Sequence, residues 1–267
     1  MYSLWYVHGK SVWQLYSVLK SYSAGAPLVK GVVSDDGRIT CPWHGACFDT
    51  INGFVENAPA LDHLTAYHVT VRDGAVYVRG DEETLKAGKR APNIACSPRA
   101  NEKVLIVGGG SGAIGASEGI REKGYTGQVT VLSKEAYLPI DRTKLSKALI
   151  PDVAKVQWRD AEFYKAAGIE FHLGKEVESV DFAGHKLRTK DGEEFEYSKV
   201  VFATGGTPKR LPMEGFKTLG NVFVLRGIDD VQRILKAAGD HKKKIVVIGK
   251  CGSKGDSQKG EILMSRN

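Results

Sequence analysis

No run of this sequence approaches the roughly 18 consecutive apolar residues that a membrane span requires. Behind the N-terminus there is no basic stretch followed by an uninterrupted apolar one, so no targeting leader is expected. Cysteine is scarce. Cys41, Cys47, Cys96 and Cys251 are too few and too scattered for a disulfide framework in 267 residues. Long blocks of one charge are missing too. The 38 basic and 31 acidic residues give +7, but the basic ones gather only in groups such as Lys242, Lys243 and Lys244, which fits a solvated face rather than a nucleic-acid footprint. These absences point to an intracellular chain, cytoplasmic or mitochondrial, whose cysteines pose a metal or redox question. What is present is ordinary globular composition, 42% hydrophobic and 26% charged, with enough length for two modest cores.

The apolar pattern changes along the chain. Up to residue 81 the short alternating runs "LVKGVV", "RITCPW" and "AYHVTVRDGAVYVRG" are split by Asp-Gly and Asn-Gly turns, the pattern of a small antiparallel β-domain. Residues 82–102 are polar, with two prolines and no apolar period, which reads as a linker. From 103 to 244 the pattern is α/β: "KVLIVGGGSGAIGASEGIREKGYTGQVTVLS" gives an apolar strand, a glycine turn, a helix and a second apolar strand. Residues 245–267 open like a second such unit with "IVVIGKCG". The stretch "SKGDSQKGEILMSRN" that follows holds no helix of useful length.

Two motifs carry chemistry. The first is "CPWHGACF", in which Cys41 and His44 stand two residues apart in a Trp/Pro/Gly-rich turn. A thiolate and an imidazole so placed can address one metal, and a tetrahedral iron or zinc then needs two further ligands. The stretch resembles the second ligand box of a Rieske domain, where two Cys and two His hold a [2Fe-2S] cluster. In that family the first box is Cys-x-His-x-Gly. Here "SYSAGAPLVKG" resembles the box, with Ser21 and Ser23 at the ligand positions. A hydroxyl is a hard donor and replaces neither thiolate nor imidazole. His8 is the only upstream histidine, and no cysteine lies upstream. Two readings stay open: a cluster held in part by Cys41 and His44, or a loop in which Cys41, Trp43, His44 and Cys47 pack the β-domain. Cys47 has no ligand role in the family pattern and reads as a small buried hydrophobe. Residues 1–23 lack the family's strand alternation, so a truncated or mis-spliced gene model is expected to account for both chain ends.

The second motif is "VLIVGGGSGAIGA", with Gly108 and Gly110 at the first two positions of G-x-G-x-x-G and Ala113 at the third. Gly108 permits the sharp turn, Gly110 lets backbone amides approach a pyrophosphate, and the helix N-terminus favours the anion. "QVTVLSKE" ends at Glu135, at the distance expected of a ribose hydroxyl acceptor. A nucleotide-free strand-helix turn is the alternative. "EAYLPIDRTKLSK" resembles the segment after the second strand in FAD flavoproteins of the ferredoxin-reductase and apoptosis-inducing-factor type, with Arg142 and Lys147 at its basic positions and Thr143 where the family has proline. The resemblance extends to "GKEVESVD", whose Val177 backbone meets the adenine in relatives, and to "VVFATGGTPKRLP", which carries the signature Ala203, Thr204 and Gly205. For Arg142 and Lys147, ordinary surface charge is the other reading.

The order of these segments is similar to Rieske-containing, apoptosis-inducing-factor-like flavoproteins. The resemblance implies a multidomain fold: a small all-β Rieske-like domain at 1–81, a linker at 82–102, the first part of a Rossmann-type FAD-binding domain at 103–244, and a truncated nucleotide-binding fold from 245. It implies oxidation of NAD(P)H by FAD, with electrons passed to an iron-sulfur or other acceptor, in place of nucleic-acid or membrane partners. At the second fold Gly249 holds the first glycine position but Cys251 replaces the second, so the NAD(P)H site is expected to be missing and turnover impaired. No residue stands out as catalytic. Two other classes stay open: a Rieske-type electron-transfer module without hydride chemistry, and a non-catalytic remnant that mediates protein contacts.

Overall fold

The computed structural model describes residues 3–5, 14–16, 28–42, 45–58, 60–73, 75–83, 88–239 and 244–248. It groups the chain into two compact units, one of Met1–Ala136 with Arg159–Thr204, the other of Tyr137–Trp158 with Gly205–Asn267.

The first unit begins with the β-domain that the Asp-Gly and Asn-Gly spacing predicts. β1 (Ser3–Trp5), β2 (Gln14–Tyr16), β8 (Ala66–Arg72) and β9 (Ala75–Arg79) make one antiparallel sheet in the order β1-β2-β8-β9. β3 (Val32–Val33), β4 (Arg38–Thr40), β5 (Cys47–Asp49) and β6 (Val55–Asn57) make a second, consecutive one. β7 (His63–Leu64) pairs with β10 (Lys89–Arg90). Turn chemistry sets the register. Arg72 pairs with Ala75 around an Asp-Gly turn whose Asp73 takes φ 50, the left-handed conformation such hairpins need. Leu28, Ile39, Cys41, Ala46, Phe48 and Leu64 form the core.

The α/β part is built on a parallel sheet in the order β13-β12-β11-β17, from β11 (Ala100–Val107), β12 (Gly127–Ser133), β13 (Ile169–Leu173) and β17 (Lys199–Phe202). Helix α1 (Ser111–Glu122) connects β11 to β12. β11 is central, and Val104, Leu105, Ile106 and Val107 are all buried, as a parallel strand covered on both faces requires. A meander of β14 (Val177–Asp181), β15 (Lys186–Thr189) and β16 (Glu194–Glu196) covers one face. Leu105, Val107, Leu132, Leu187 and Tyr197 make the shared core there.

In the second unit Asp141 caps α2 (Arg142–Ala148) by accepting from Thr143 N at 3.0 Å, and Leu149 ends it at φ 45. This unit closes around α4 (Ile228–Ala238), with Ile140, Leu145, Val156, Ile228 and Val231 as its core. Helix α3 (Ala161–Ala166) belongs to the first unit and precedes β13. Among the described residues no helix is long and apolar enough to cross a membrane.

The segment read as a linker is anchored at several of its described residues. Lys89 and Arg90 pair with Leu64 and His63. Pro92 and Ile94 are buried. Cys96 N donates to Ala166 O at 2.9 Å and Arg99 N to Thr126 O at 2.8 Å. Two apolar residues at alternate positions and a few backbone bonds are enough to seat an extended strand, and composition over 21 residues averages them away.

Arg121 fastens the same region from inside. Its buried guanidinium donates from Nε to Ala167 O at 2.7 Å, from Nη1 to Tyr125 O and Gly127 O at 2.7 and 2.9 Å, and from Nη2 to Gly168 O at 2.7 Å. Ala167 and Gly168 lie at the C-terminal end of α3, where the helix dipole welcomes a cation, and Tyr125 and Gly127 lie in the loop after α1 and at the start of β12. Arg121→Met would strand four acceptors and is expected to lower unfolding free energy by about 2–4 kcal/mol in urea titration. Arg121→Lys should recover only part, because an ammonium cannot span the same fork.

Candidate functional site

β11 runs out at Val107 and the chain turns sharply into α1. Gly108 makes that turn at φ 122, with its N donating to Leu132 O at 2.8 Å, while Ala203 N donates to Val107 O at 2.8 Å. A Cβ on Gly108 would lie 2.1 Å from Ala203 O. On Gly109 it would lie 2.1 Å from Ser133 Oγ. Gly110 is different. As the N-cap of α1 it has extended backbone, φ −100 and ψ −162, no side-chain cap, and nothing within 4 Å of where a Cβ would stand.

The start of α1 is therefore open. Its first amides, on Ser111 and Gly112, have no intrahelical acceptor by helix geometry, and no acidic residue sits in the first turn to use them. Amides and macrodipole together favour an anion. Ala113, fully buried, lets the helix lie close to the sheet. Gly108, Gly110, Ala113, Ala203 and Thr204 thus gather where β11 and β17 end. An observation of packing, the cradle at Gly110, fits a diphosphate.

Glu135 lies just beyond the end of β12, half-buried, its N donating to Ser133 Oγ at 3.2 Å and its O accepting from Gly174 N at 3.0 Å. Ser133 was not legible as a site residue. Its hydroxyl touches the glycine turn on one side and fixes the Glu135 backbone on the other, and a serine closing an apolar strand gives no sequence signal of that. Val177 opens β14, opposite Thr189, with a register shift before Ser179. Charges nearby are paired. Lys190 at 2.9 Å and Lys134 at 3.0 Å hold the Glu176 carboxyl below the ordinary range. Lys175, hydrogen-bonded to Asp191, helps bring that carboxyl down to about 2, with Thr189 assisting. That contribution to stability is complete above the ordinary Asp value and is lost as pH falls through about 2.

Arg142, Lys147 and Gly205 belong to the second unit. Arg142 Nη1 donates to Arg226 O at 2.8 Å, Lys147 occupies a position in α2, and Gly205 turns at φ 70. A cavity of about 520 Å³ lies away from the glycine turn, at the start of β11 beneath the meander, with Lys103, Gln128, Glu170 and His172 on its wall. It does not coincide with the nucleotide candidate, whose residues are at the other end of the strands.

Cys41 is 3% exposed and packs in the β-domain core, its N donating to Ala46 O at 2.8 Å and its O accepting from Gly45 N at 3.1 Å. Cys47 is buried, with Thr40 Oγ1 3.7 Å from its Sγ. His44, Ser21, Ser23, Gly249 and Cys251 lie outside the described residues. Among the described residues no group of three or more His, Cys, Asp or Glu is placed to hold a metal ion. One thiolate and one imidazole in the second box, with hydroxyls in the first, do not fit a cluster held by two Cys and two His.

A central parallel strand ending in a glycine turn, an open helix N-terminus and a meander on the sheet face define a dinucleotide-binding domain of the flavoprotein reductase class. The sequence matches the family described as pyridine nucleotide-disulphide oxidoreductase over residues 102–251, and the Rieske [2Fe-2S] domain over residues 24–68. The chain belongs to the pyridine nucleotide-disulphide oxidoreductase family, with a Rieske-type β-domain ahead of its nucleotide-binding domain. Apoptosis-inducing factor 3 of Homo sapiens is 38% identical over 231 residues, covering 84% of this chain and 38% of that protein. Rubredoxin-NAD(+) reductase of Pseudomonas putida is 31% identical over 149 residues, covering 55% and 38%. In structure, the covalent putidaredoxin reductase-putidaredoxin complex aligns with TM-score 0.47 and 27% identity over 51% of this chain and 34% of that one. The chain spans 38% of the length of either curated relative.

Gly108→Ala places a methyl against the Ala203 carbonyl in a backbone conformation that L residues avoid. It is expected to cost about 3 kcal/mol of stability, read by thermal or urea unfolding. A midpoint equal to the wild type would contradict the close approach.

Proposed function

We propose that the chain binds FAD at the N-terminus of α1 and serves in an FAD-dependent NAD(P)H oxidoreductase that passes electrons to an iron-sulfur or other acceptor protein. The observation that carries the reading is the contrast within one motif: Gly108 and Gly109 are held by protein contacts, whereas the Gly110 position faces open space beside unspent amides. A turn serving packing alone has no use for glycine at that third place.

Each residue has a task in this reading. Gly110 admits the diphosphate, and the Ser111 and Gly112 amides donate to it. Glu135, its backbone steadied by Ser133, accepts from a ribose hydroxyl. The backbone at Val177 borders the adenine, and Ala203 and Thr204 close the turn from β17. Arg142, Lys147 and Gly205 are assigned to the diphosphate and flavin side by resemblance to the family. FAD, when bound, accepts hydride and releases single electrons, while the protein supplies position and electrostatics. Family membership and relatives named as NAD(+) reductases support NAD(P)H as the donor. Because the ligand set in the β-domain does not fit a complete cluster, no step is assigned to one.

The test is direct. Purified chain is expected to take up one FAD, read by absorbance after gel filtration and by calorimetry. Well-folded chain that stays colourless in excess FAD would overturn the proposal. Gly110→Val should leave the unfolding free energy within about 0.5 kcal/mol of the wild type, since its side chain meets no protein atom, yet abolish flavin retention. Retained flavin in that variant would show the site to be elsewhere.

A further inference from the structure

Buried charge that the nucleotide site does not use is concentrated in one place within the first unit. Asp62, Glu118 and Arg159 are each less than a tenth exposed. Arg159 donates to Glu118 in bidentate fashion, Nε to Oε1 at 3.2 Å and Nη2 to Oε2 at 3.1 Å. Its Nη1 stands 2.5 Å from Asp62 Oδ1. Lys89 Nζ completes the set, 2.7 Å from Asp62 Oδ2. Two carboxylates, a guanidinium and an ammonium leave no net charge.

The members come from both domains. Asp62 precedes β7 and Lys89 opens β10, in the β-domain and the strand added to it. Glu118 lies on α1, and Arg159 just ahead of α3, in the α/β part. A second pair runs parallel: His63, next to Asp62, places Nε2 3.6 Å from Glu122 Oε1, one helical turn beyond Glu118. His63 is held from behind, its Nδ1 accepting from Val55 N at 3.1 Å. His63 thus meets Glu122 directly, while its neighbour Asp62 reaches Glu118, one turn earlier on the same helix, through Arg159, which fixes a register as well as a contact.

We propose that this cluster is a docking interface that locks the Rieske-type domain onto α1 in a single orientation, so that the two move as one body rather than as beads on a tether. Three buried charges joined by ion pairs, with the exposed Lys89 ammonium bringing the set to neutrality, suit orientation better than adhesion. Removing one member is costly, while alternative dockings would leave the rest unpaired. Burial pushes the Glu118 carboxyl upward and Arg159 draws it back, so the pair depends on staying together. The connecting segment supports the same conclusion independently. It is laddered to β7 at Lys89 and Arg90, and bonded to the α/β part at Cys96 and Arg99. Gly168 fits beneath Pro98 so closely that a Cβ there would lie 2.8 Å from the proline ring. A tether meant to swing would be free between its ends. The proposal does not depend on any bound nucleotide.

Hydrogen exchange on the full chain tests it. In the wild type, amides over 89–99 and along α1 near Glu118 are expected to be protected together. Asp62→Asn keeps the Glu118–Arg159 pair, so it should fold, yet exchange over 89–99 should rise about tenfold or more. Arg159→Met should raise it further. In a double-mutant cycle the two changes should be strongly non-additive. Free exchange over 89–99 in the wild type would overturn the proposal, as would an Asp62→Asn effect confined to residues 60–64.

Discussion

The molecule turns on the close approach of two backbones at Gly108. Val107 and Ala203 are bonded across β11 and β17, Gly108 is bonded back to Leu132, and the space between is too small for a methyl. Three strands are therefore tied within a residue of one another at the end of the sheet. Because the chain leaves that knot at φ 122, it is aimed straight into α1, and the helix begins with its amides uncovered. Moving the turn by one residue would bury those amides or unpair β17. The geometry that closes the sheet is the geometry that opens the helix.

Beyond the turn, the first unit is organised by buried arginines as much as by aliphatic packing. Arg121 gathers carbonyls from the end of one helix, a loop and the start of a strand, and Arg159 gathers carboxylates from two domains. The first is satisfied by dipoles and the second by charges. Both use the planar fork to join segments that neither periodicity nor turn chemistry would bring together. The meander adds an apolar layer through Leu187 and Tyr197, and its rim is held by lysine-carboxylate pairs such as Lys175 with Asp191 and Glu193.

What could be read from the sequence was local. The βαβ unit announces itself because an apolar strand, a glycine turn and a helix are set by neighbouring residues, and the Asp-Gly hairpin of β8 and β9 likewise. The β-domain and its box at Cys41 were visible as motifs, and family membership follows from the order of segments. Arg121 and Arg159 were not visible: a lone arginine in a helix or a loop looks like surface charge until its distant partners are folded against it. The contacts of the connecting segment are not legible because its polar majority hides Pro92 and Ile94, buried two residues apart. Ser133 escaped for a similar reason, since its role lies in what crosses above it and not in what flanks it.

The sealing of Cys41 and Cys47 inside the β-domain, with Cys96 only half covered, has a practical consequence. Among the cysteines of the described residues, alkylating reagents should meet Cys96 promptly and reach Cys41 and Cys47 only when the aliphatic interior opens. The pace at which those two thiols become modified is then a clock for breathing of that domain, needing no label beyond what the chain already carries.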